Sequence, residues 1–276
     1  MSPPSLDKNN PYSAPNANLN DDPMEAGARQ FVPDGKLVGS DRPMAWFSQG
    51  FEQFKAAPGI WIGLVVIFFV LIMVMNFVPL IGPIALNLLF PVFFGGMMLA
   101  SRASRNNQEV KIDHLFAGFQ TKFGPLALVG LFYLIGTIVL VVIMMVIGFV
   151  FIGGAAAMFG LSKASGAGDG AFGALLGAGI GVFFLVMLLA VALSIPLAMS
   201  VWFAPALVVF HDMEPLEAMK ASFTGCIKNW LPFLIYFILY IVFAVVATIP
   251  LLLGWLVLGP VIIGSMYAAY EDIYLN

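Results

Sequence analysis

Charge is what this sequence has least of: only 10% of its 276 residues are Asp, Glu, Lys or Arg, against about 25% in ordinary soluble domains. Four stretches, Ala56 to Ala100, Phe123 to Ser162, Gly170 to Phe210 and Asn229 to Tyr270, contain none of these residues. An ionisable group inside a membrane span is the usual sign of a proton relay or ion path, because charge in lipid is costly. The absence of such groups weighs against proton-coupled pumps and charge-selective channels. A single cysteine, Cys226, excludes an intramolecular disulfide and a cysteine metal cluster, and reads as a small apolar residue. The Gly-x-Ser-x-Gly elbow, the phosphate-binding Gly-rich loop with its Lys and the His-Glu-x-x-His zinc motif are all missing, so neither an enzyme nor a cofactor is expected. A net charge of -3 and a pI near 5.3 leave no basic surface for nucleic acid.

What is present is apolar. Hydrophobic residues make up 61% of the chain, and only lipid makes the four charge-free runs reasonable. Backbone N–H and C=O groups find no water in a bilayer, so each run must be helix or closed barrel; continuous rather than alternating hydrophobicity selects helix. The expectation is an all-α integral membrane protein with six transmembrane helices as three hairpins, each preceded by an interfacial amphipathic helix. A crossing takes about 20 residues, which places spans near 59–77, 81–100, 125–150, 173–200, 231–249 and 251–270. Turns fall at Asn76 to Pro83 and at Pro250 to Gly254, where proline and glycine stop one helix and start the next. Residues 123–159 and 171–210 flank a polar Gly-rich loop and are about twice as long as a crossing requires. Both must tilt, kink or project, with Pro196 the expected kink.

Residues 1–43 read as a disordered tail ahead of the membrane domain at 44–276. This leader holds seven prolines, too little apolar area to offset chain entropy, and no hydrophobic core with a cleavage site, so no signal peptide is expected. Eleven of the twelve basic residues fall on one side of the spans and Lys163 alone on the other. By the positive-inside rule that side is cytoplasmic, with both chain ends in the cytoplasm.

An internal repeat accompanies the odd-numbered spans. Trp46, Phe47, Phe51 and Phe54 share a helical face, with Lys55 before Pro58; Ile112, Leu115, Phe116, Phe119 and Phe123 do so with Lys122 before Pro125. A third face holds Leu216, Met219, Phe223, Ile227 and Trp230, with Lys228 before Pro232. Each reads as an elbow: a helix in the headgroup region with aromatics dipped into acyl chains, a Lys at phosphate height, and a proline in the first turn of the ascending span. The return helices match as well, in Pro91-Val-Phe-Phe-Gly-Gly-Met-Met-Leu-Ala100 and Pro260-Val-Ile-Ile-Gly-Ser-Met-Tyr-Ala-Ala269. Gly173, Gly177 and Gly181 recur at small-xxx-small spacing, which predicts close helix packing within the bundle or against another copy.

The elbows Asp113-His-Leu-Phe-Ala-Gly-Phe119 and Glu217-Ala-Met-Lys-Ala-Ser-Phe223, with Lys228-Asn-Trp-Leu-Pro232, resemble those of a loose group of poorly characterised bacterial six-span inner-membrane proteins. That group is related in layout to the membrane domain preceding some glycerophosphodiester phosphodiesterases. The leader Asn10-Pro-Tyr-Ser-Ala-Pro15 is similar to the openings of many small proteobacterial membrane proteins. The resemblance implies the bacterial inner membrane and no established mechanism. No phosphodiesterase domain follows before Asn276, so that activity is not expected.

Two histidines are the remaining candidates for chemistry. Asp113-His114 and His211-Asp212 occupy similar places ahead of the second and third elbows, and converging they would suit a divalent metal. Their ordinary alternative is that Asp113 and Asp212 cap the elbow helices. The favoured function is a non-enzymatic protein that contacts or organises membrane lipids, with the tail recruiting a cytoplasmic partner or the chain forming a homo-oligomer. The alternative is a transporter or channel for an uncharged or lipidic solute.

Overall fold

The computed structural model describes residues 30–79, 81–164 and 170–276. The described residues are helical almost throughout, and their only extended pairing is a single bridge between Phe31 and Leu275. The helices are α1 (Arg42–Ala56), α2 (Pro58–Asn76), α3 (Ile81–Arg105), α4 (Ala117–Thr121, entered from a 3₁₀ turn at Ile112–Phe116), α5 (Phe123–Ala164), α6 (Gly170–Trp202), α7 (Ala204–His211), α8 (Pro215–Lys228), α9 (Trp230–Thr248) and α10 (Trp255–Tyr274). Six stretches are long and apolar enough to cross a membrane: α2, α3, Phe123–Phe151 of α5, Gly179–His211 of α6 and α7, α9 and α10. The protein is an all-α integral membrane protein.

The elbow stretches are helical. α1 carries Pro43 in its first turn and Lys55 in its last, then Ala57 leaves helical geometry so that Pro58 can open α2 without losing a backbone donor. α8 ends in the same way on Lys228, ahead of α9.

α10 starts at Trp255, later than the expected 251. Pro250 ends the ascending helix, Leu251 and Leu252 take positive φ values of 52° and 69°, and short turns such as Leu253 N–H to Pro250 O (3.0 Å) fill the gap.

α5 has 42 residues and α6 has 33, roughly 63 Å and 50 Å if straight. α6 continues through Pro196, the expected kink, and stops at Phe203. The reason lies on α8, where the Ser222 hydroxyl accepts from Phe203 N–H (2.9 Å) and donates to Met199 O (2.6 Å). Backbone freed by the interruption is satisfied inside protein, as lipid-depth irregularity requires.

The core lies toward the elbow end. α1 crosses α10 so closely that a Cβ on Gly264 would come 2.8 Å from the Gly50 Cα. Trp46, Trp61, Phe203, Leu207, Ile273 and Tyr274 are fully buried there.

Candidate functional site

Two features of the fold stand out: a polar lock that closes the elbow end, and an apolar cavity between the spans above it.

The lock begins with the chain ends. Residues 30–41, expected to belong to an unstructured tail, form a strap across the base of the bundle: Val32 N–H bonds Tyr274 O (2.8 Å), Lys36 N–H bonds Ile273 O (2.8 Å) and Asn276 N–H bonds Gln30 O (2.9 Å). Fully buried Asn229 holds the strap from the other side, accepting from Val38 N–H (2.9 Å) and donating to Lys36 O (3.0 Å). Lys228, expected at phosphate height, instead donates to the Asp34 and Gly35 carbonyls at 3.0 and 3.3 Å. A low-hydrophobicity segment has too little apolar area to fold by itself; what orders it is a row of backbone acceptors at the C-terminus, which no local pattern reveals.

Behind the strap, Asp272 accepts from Arg42 Nε and Nη2 at 2.7 Å each and from Trp46 Nε1 at 2.6 Å. Next to it the nearly buried Glu271 accepts from Arg105 Nε (3.0 Å) and Nη2 (2.8 Å), and that Nη2 also donates to Gln49 Oε1 at 2.6 Å. Charge-assisted and two-pronged, these are the strong kind of hydrogen bond, and they join α1, α3 and α10. Part of the signal was in the sequence: Glu271 and Asp272 are the acidic residues that end the last charge-free run.

The interfacial candidates divide. Trp46 and its neighbour Phe47 are core residues, which corrects their assignment to the lipid interface: the Asp272 carboxylate draws the indole inward, and Phe47 stacks on Tyr236 at 4.7 Å. Phe119 and Phe223 are half-buried, Phe119 meeting Phe93 at 5.0 Å. Phe51, with Lys55 Nζ 5.3 Å over its ring, stays exposed, and Trp230 is 59% exposed. Lys122 pairs with Asp212.

The histidines do not share a site. Among the described residues no group of three or more His, Cys, Asp or Glu could hold a metal ion. His114 Nδ1 accepts from Lys111 N–H at 3.0 Å in its own 3₁₀ turn. His211 Nε2 lies 2.6 Å from the Tyr270 hydroxyl, and its ring stacks on Phe31 of the strap at 3.5 Å. Asp113 lies in the first turn of the 3₁₀ segment and not at its cap, and Asp212 is the left-handed C-cap of α7 (φ = 52°), so neither N-caps an elbow helix; Glu214 precedes α8 instead. Of the packing glycines, Gly181 faces open space, and the surroundings of Gly173 and Gly177 lie outside the described residues. On α8, burial pushes the Cys226 thiol up to about 12.

The cavity has a volume of about 550 Å³, within the roughly 300–1,000 Å³ of small-molecule sites. Phe69 of α2, Phe90 and Phe94 of α3, Tyr133 of α5, Trp202 of α6 and Met266 of α10 are among its walls, and no charged side chain contributes. It was invisible in the sequence because its walls come from helices far apart in the chain and share only apolarity. Trp202 is its unusual member: the indole packs against Phe237 at 5.4 Å, yet its Nε1 is buried with no acceptor. An unmet buried donor costs about 1–3 kcal/mol. Trp61 Nε1 is also without an acceptor, but Trp61 is not part of the cavity wall.

Comparison with known proteins adds a membrane context and no activity. No family model matches the chain, and no solved structure matches it. A protein of Burkholderia thailandensis named as a probable inner membrane protein is 29% identical over 211 residues, covering 72% of this chain and 72% of the relative. With its six span-length helices, the chain is thus a multi-pass membrane protein similar to a probable inner membrane protein of a bacterium.

Proposed function

We propose that this chain is a non-enzymatic protein of the bacterial inner membrane that contacts and orders lipid around a fixed helical core. The observation that carries the reading is the distribution of exposed apolar side chains. They form a belt on α2, α5, α6 and α9, including Val70, Ile138, Val191 and Val245, while the charged groups at the base are largely spent on one another. Such a belt has lipid as its natural solvent. The three-hairpin layout, the kinship with the membrane domain of glycerophosphodiester phosphodiesterases and the interfacial placement of Phe51, Lys55 and Trp230 belong to this proposal, as does partner recruitment by residues 1–29. The enzymatic activity of those phosphodiesterases is not part of it.

Orientation is proposed on the basic residues, with the strap and C-terminus in the cytoplasm. The hydrogen-bonded strap, which holds Gln30 beside Asn276, supports having both on one side. Reporter fusions test it: a fusion after Asn276 is expected to be active only with a cytoplasmic reporter, and one at Lys163 only with a periplasmic reporter. The opposite pattern inverts the assignment.

Membrane lipid composition in a deletion strain tests the functional reading. An altered phospholipid or neutral-lipid profile is the expected result. The cavity favours a second reading, carriage of an uncharged or lipidic solute between the helices. An unchanged lipid profile together with lost uptake of an apolar solute would replace the first reading by the second.

A further inference from the structure

We infer that residues 30–41 form a detachable latch, which swings off the base of the bundle as one unit about Gly39 while the helices beneath it stay in place. The inference concerns the elbow end alone and stands apart from the lipid-contacting reading.

The way the segment is held points to release. Of residues 30–41 only Gly35 is buried, and it has no side chain to contribute. Leu37 is 76% exposed, and Phe31 and Val38 are half-buried. Apolar burial is the main force that fixes a chain in place, so this segment relies on polar bonds. Each such bond replaces one to water and gains little net, while ordering each residue costs backbone entropy of similar size. Segments with few buried apolar contacts and hydrogen bonds close to solvent are those that open locally.

The bonds are also concerted. Gln30 O, Val32 N–H and Lys36 N–H pair with Asn276, Tyr274 and Ile273 along one stretch of the C-terminus. Lys36 is the centre of the seat: its ammonium donates to Leu275 O (2.6 Å) and Asn276 Oδ1 (3.1 Å), and its carbonyl accepts from Asn229 Nδ2 at 3.0 Å. Next to it, a turn closed by Gly35 N–H to Val32 O (2.9 Å) fits the surface only with glycine at its end. There φ is 65°, and a Cβ would come 2.9 Å from Ile273 Cγ2. A turn matched so closely to one surface loses its seat when either side lifts.

Opening stops at α1. Residues 39–41 are exposed, but Arg42 and Trp46, just beyond them, are both fixed on Asp272. The buried Asn229 keeps a partner when the latch leaves, because its Nδ2 also donates to Gly225 O at 2.9 Å. The core therefore tolerates the departure. Closed, the latch holds Gln30 against Asn276 and Phe31 on the His211 ring at 3.5 Å. Open, residues 30–38 extended at about 3.3–3.6 Å each carry Gln30 up to about 30 Å from the hinge. The device thus sets how far residues 1–29 reach from the bundle.

Hydrogen exchange on the full chain in detergent, read at single amides by mass spectrometry, tests the latch. Val32, Lys36, Val38 and Asn276 are expected to exchange at one common opening rate, about a hundredfold or more above Tyr267 to Tyr270 of α10. Lys36→Met is expected to speed all four by a shared factor of about three to ten, the effect of one net hydrogen bond, and to leave α10 unchanged. A second variant carries its own control: Phe31→Cys with Leu275→Cys, at the bridged pair, in a Cys226→Ala background. Oxidising its two introduced thiols is expected to slow exchange at Val32, Lys36 and Val38 at least about tenfold, and reduction to restore it, with α10 the same in both forms. Strap amides as slow as those of α10 would mean a welded segment and overturn the inference. Rates that differ from one strap amide to the next, or a Lys36→Met effect confined to position 36, would mean fraying and overturn it too. So would an oxidised form that exchanges as fast as the reduced one.

Discussion

The base of the bundle and the α5–α6 pair are built from similar residues and reach opposite outcomes. In α10 the most apolar 18-residue stretch is 67% buried, and in α3 it is 56% buried; in α5 none of it is. All three are hydrophobic helices, so hydrophobicity does not decide which is core. Small residues and polar ends do. α10 brings Gly264 against Gly50, and finishes on Glu271 and Asp272, which are held by Arg105 and Arg42. α5 meets α3 near its start, where a side chain on Gly130 would strike the α3 backbone, and α6 at Gly136, where one would strike Leu197; farther along, Gly148, Gly153 and Gly154 face open space. The same residue type is thus a packing device at one end and an unused permission at the other.

The sharpest way to break this contrast is to overpack the base. Gly264→Leu is expected to cost on the order of 3 kcal/mol or more, since the backbone of α1 cannot retreat from it without leaving the core. Thermal unfolding in detergent would measure the loss, and a wild-type melting temperature would show that the crossing is not tight. Asp272→Ala strips three donors of one acceptor and is expected to cost roughly 2–3 kcal/mol, less than a fully buried pair because Arg42 is partly exposed. Arg42→Met with Asp272→Leu should recover much of that loss.

Ser222→Ala comes next, at about 1–3 kcal/mol, because it orphans Phe203 N–H and leaves Met199 O with only the weak Cys226 thiol donor. Amide exchange at Phe203 should accelerate in the variant; unchanged protection would mean that Ser222 does not hold the break. The smallest effect is expected on the arm: Phe149→Leu should stay within about 0.5 kcal/mol of wild type, as the Phe149 side chain is 79% exposed.

A chemical probe sharpens the same comparison. Alkylation requires thiolate, and a thiol raised to about 12 holds almost none at pH 8. Cys226 is therefore expected to resist maleimide in the folded protein and react on denaturation. A cysteine placed at the exposed Lys220 would react at once. Rapid native labelling of Cys226 would show that α8 opens away from Met199.

The six span-length helices were legible because each expresses a local rule: uninterrupted apolarity over the thickness of a bilayer, with proline and glycine between. The elbows were legible as helices for the same reason. Their facing was not. Trp46 and Trp230 are both aromatic residues beside a span entrance, yet one is buried under an aspartate and the other is exposed. Only the partner across the fold distinguishes them.

Composition alone therefore determined the solvent of this protein and its helical class, since the cost of unpaired backbone groups in lipid permits little else. The tertiary structure decided what those helices enclose. It ended α6 at Phe203, because Ser222 of another helix satisfies the freed groups there, and it recruited residues 30–41 into a strap because the C-terminal backbone offers acceptors. It also assembled the cavity around Trp202 from helices distant in the chain. Each of these depends on which groups meet across the bundle, and apolar periodicity carries no information about that meeting.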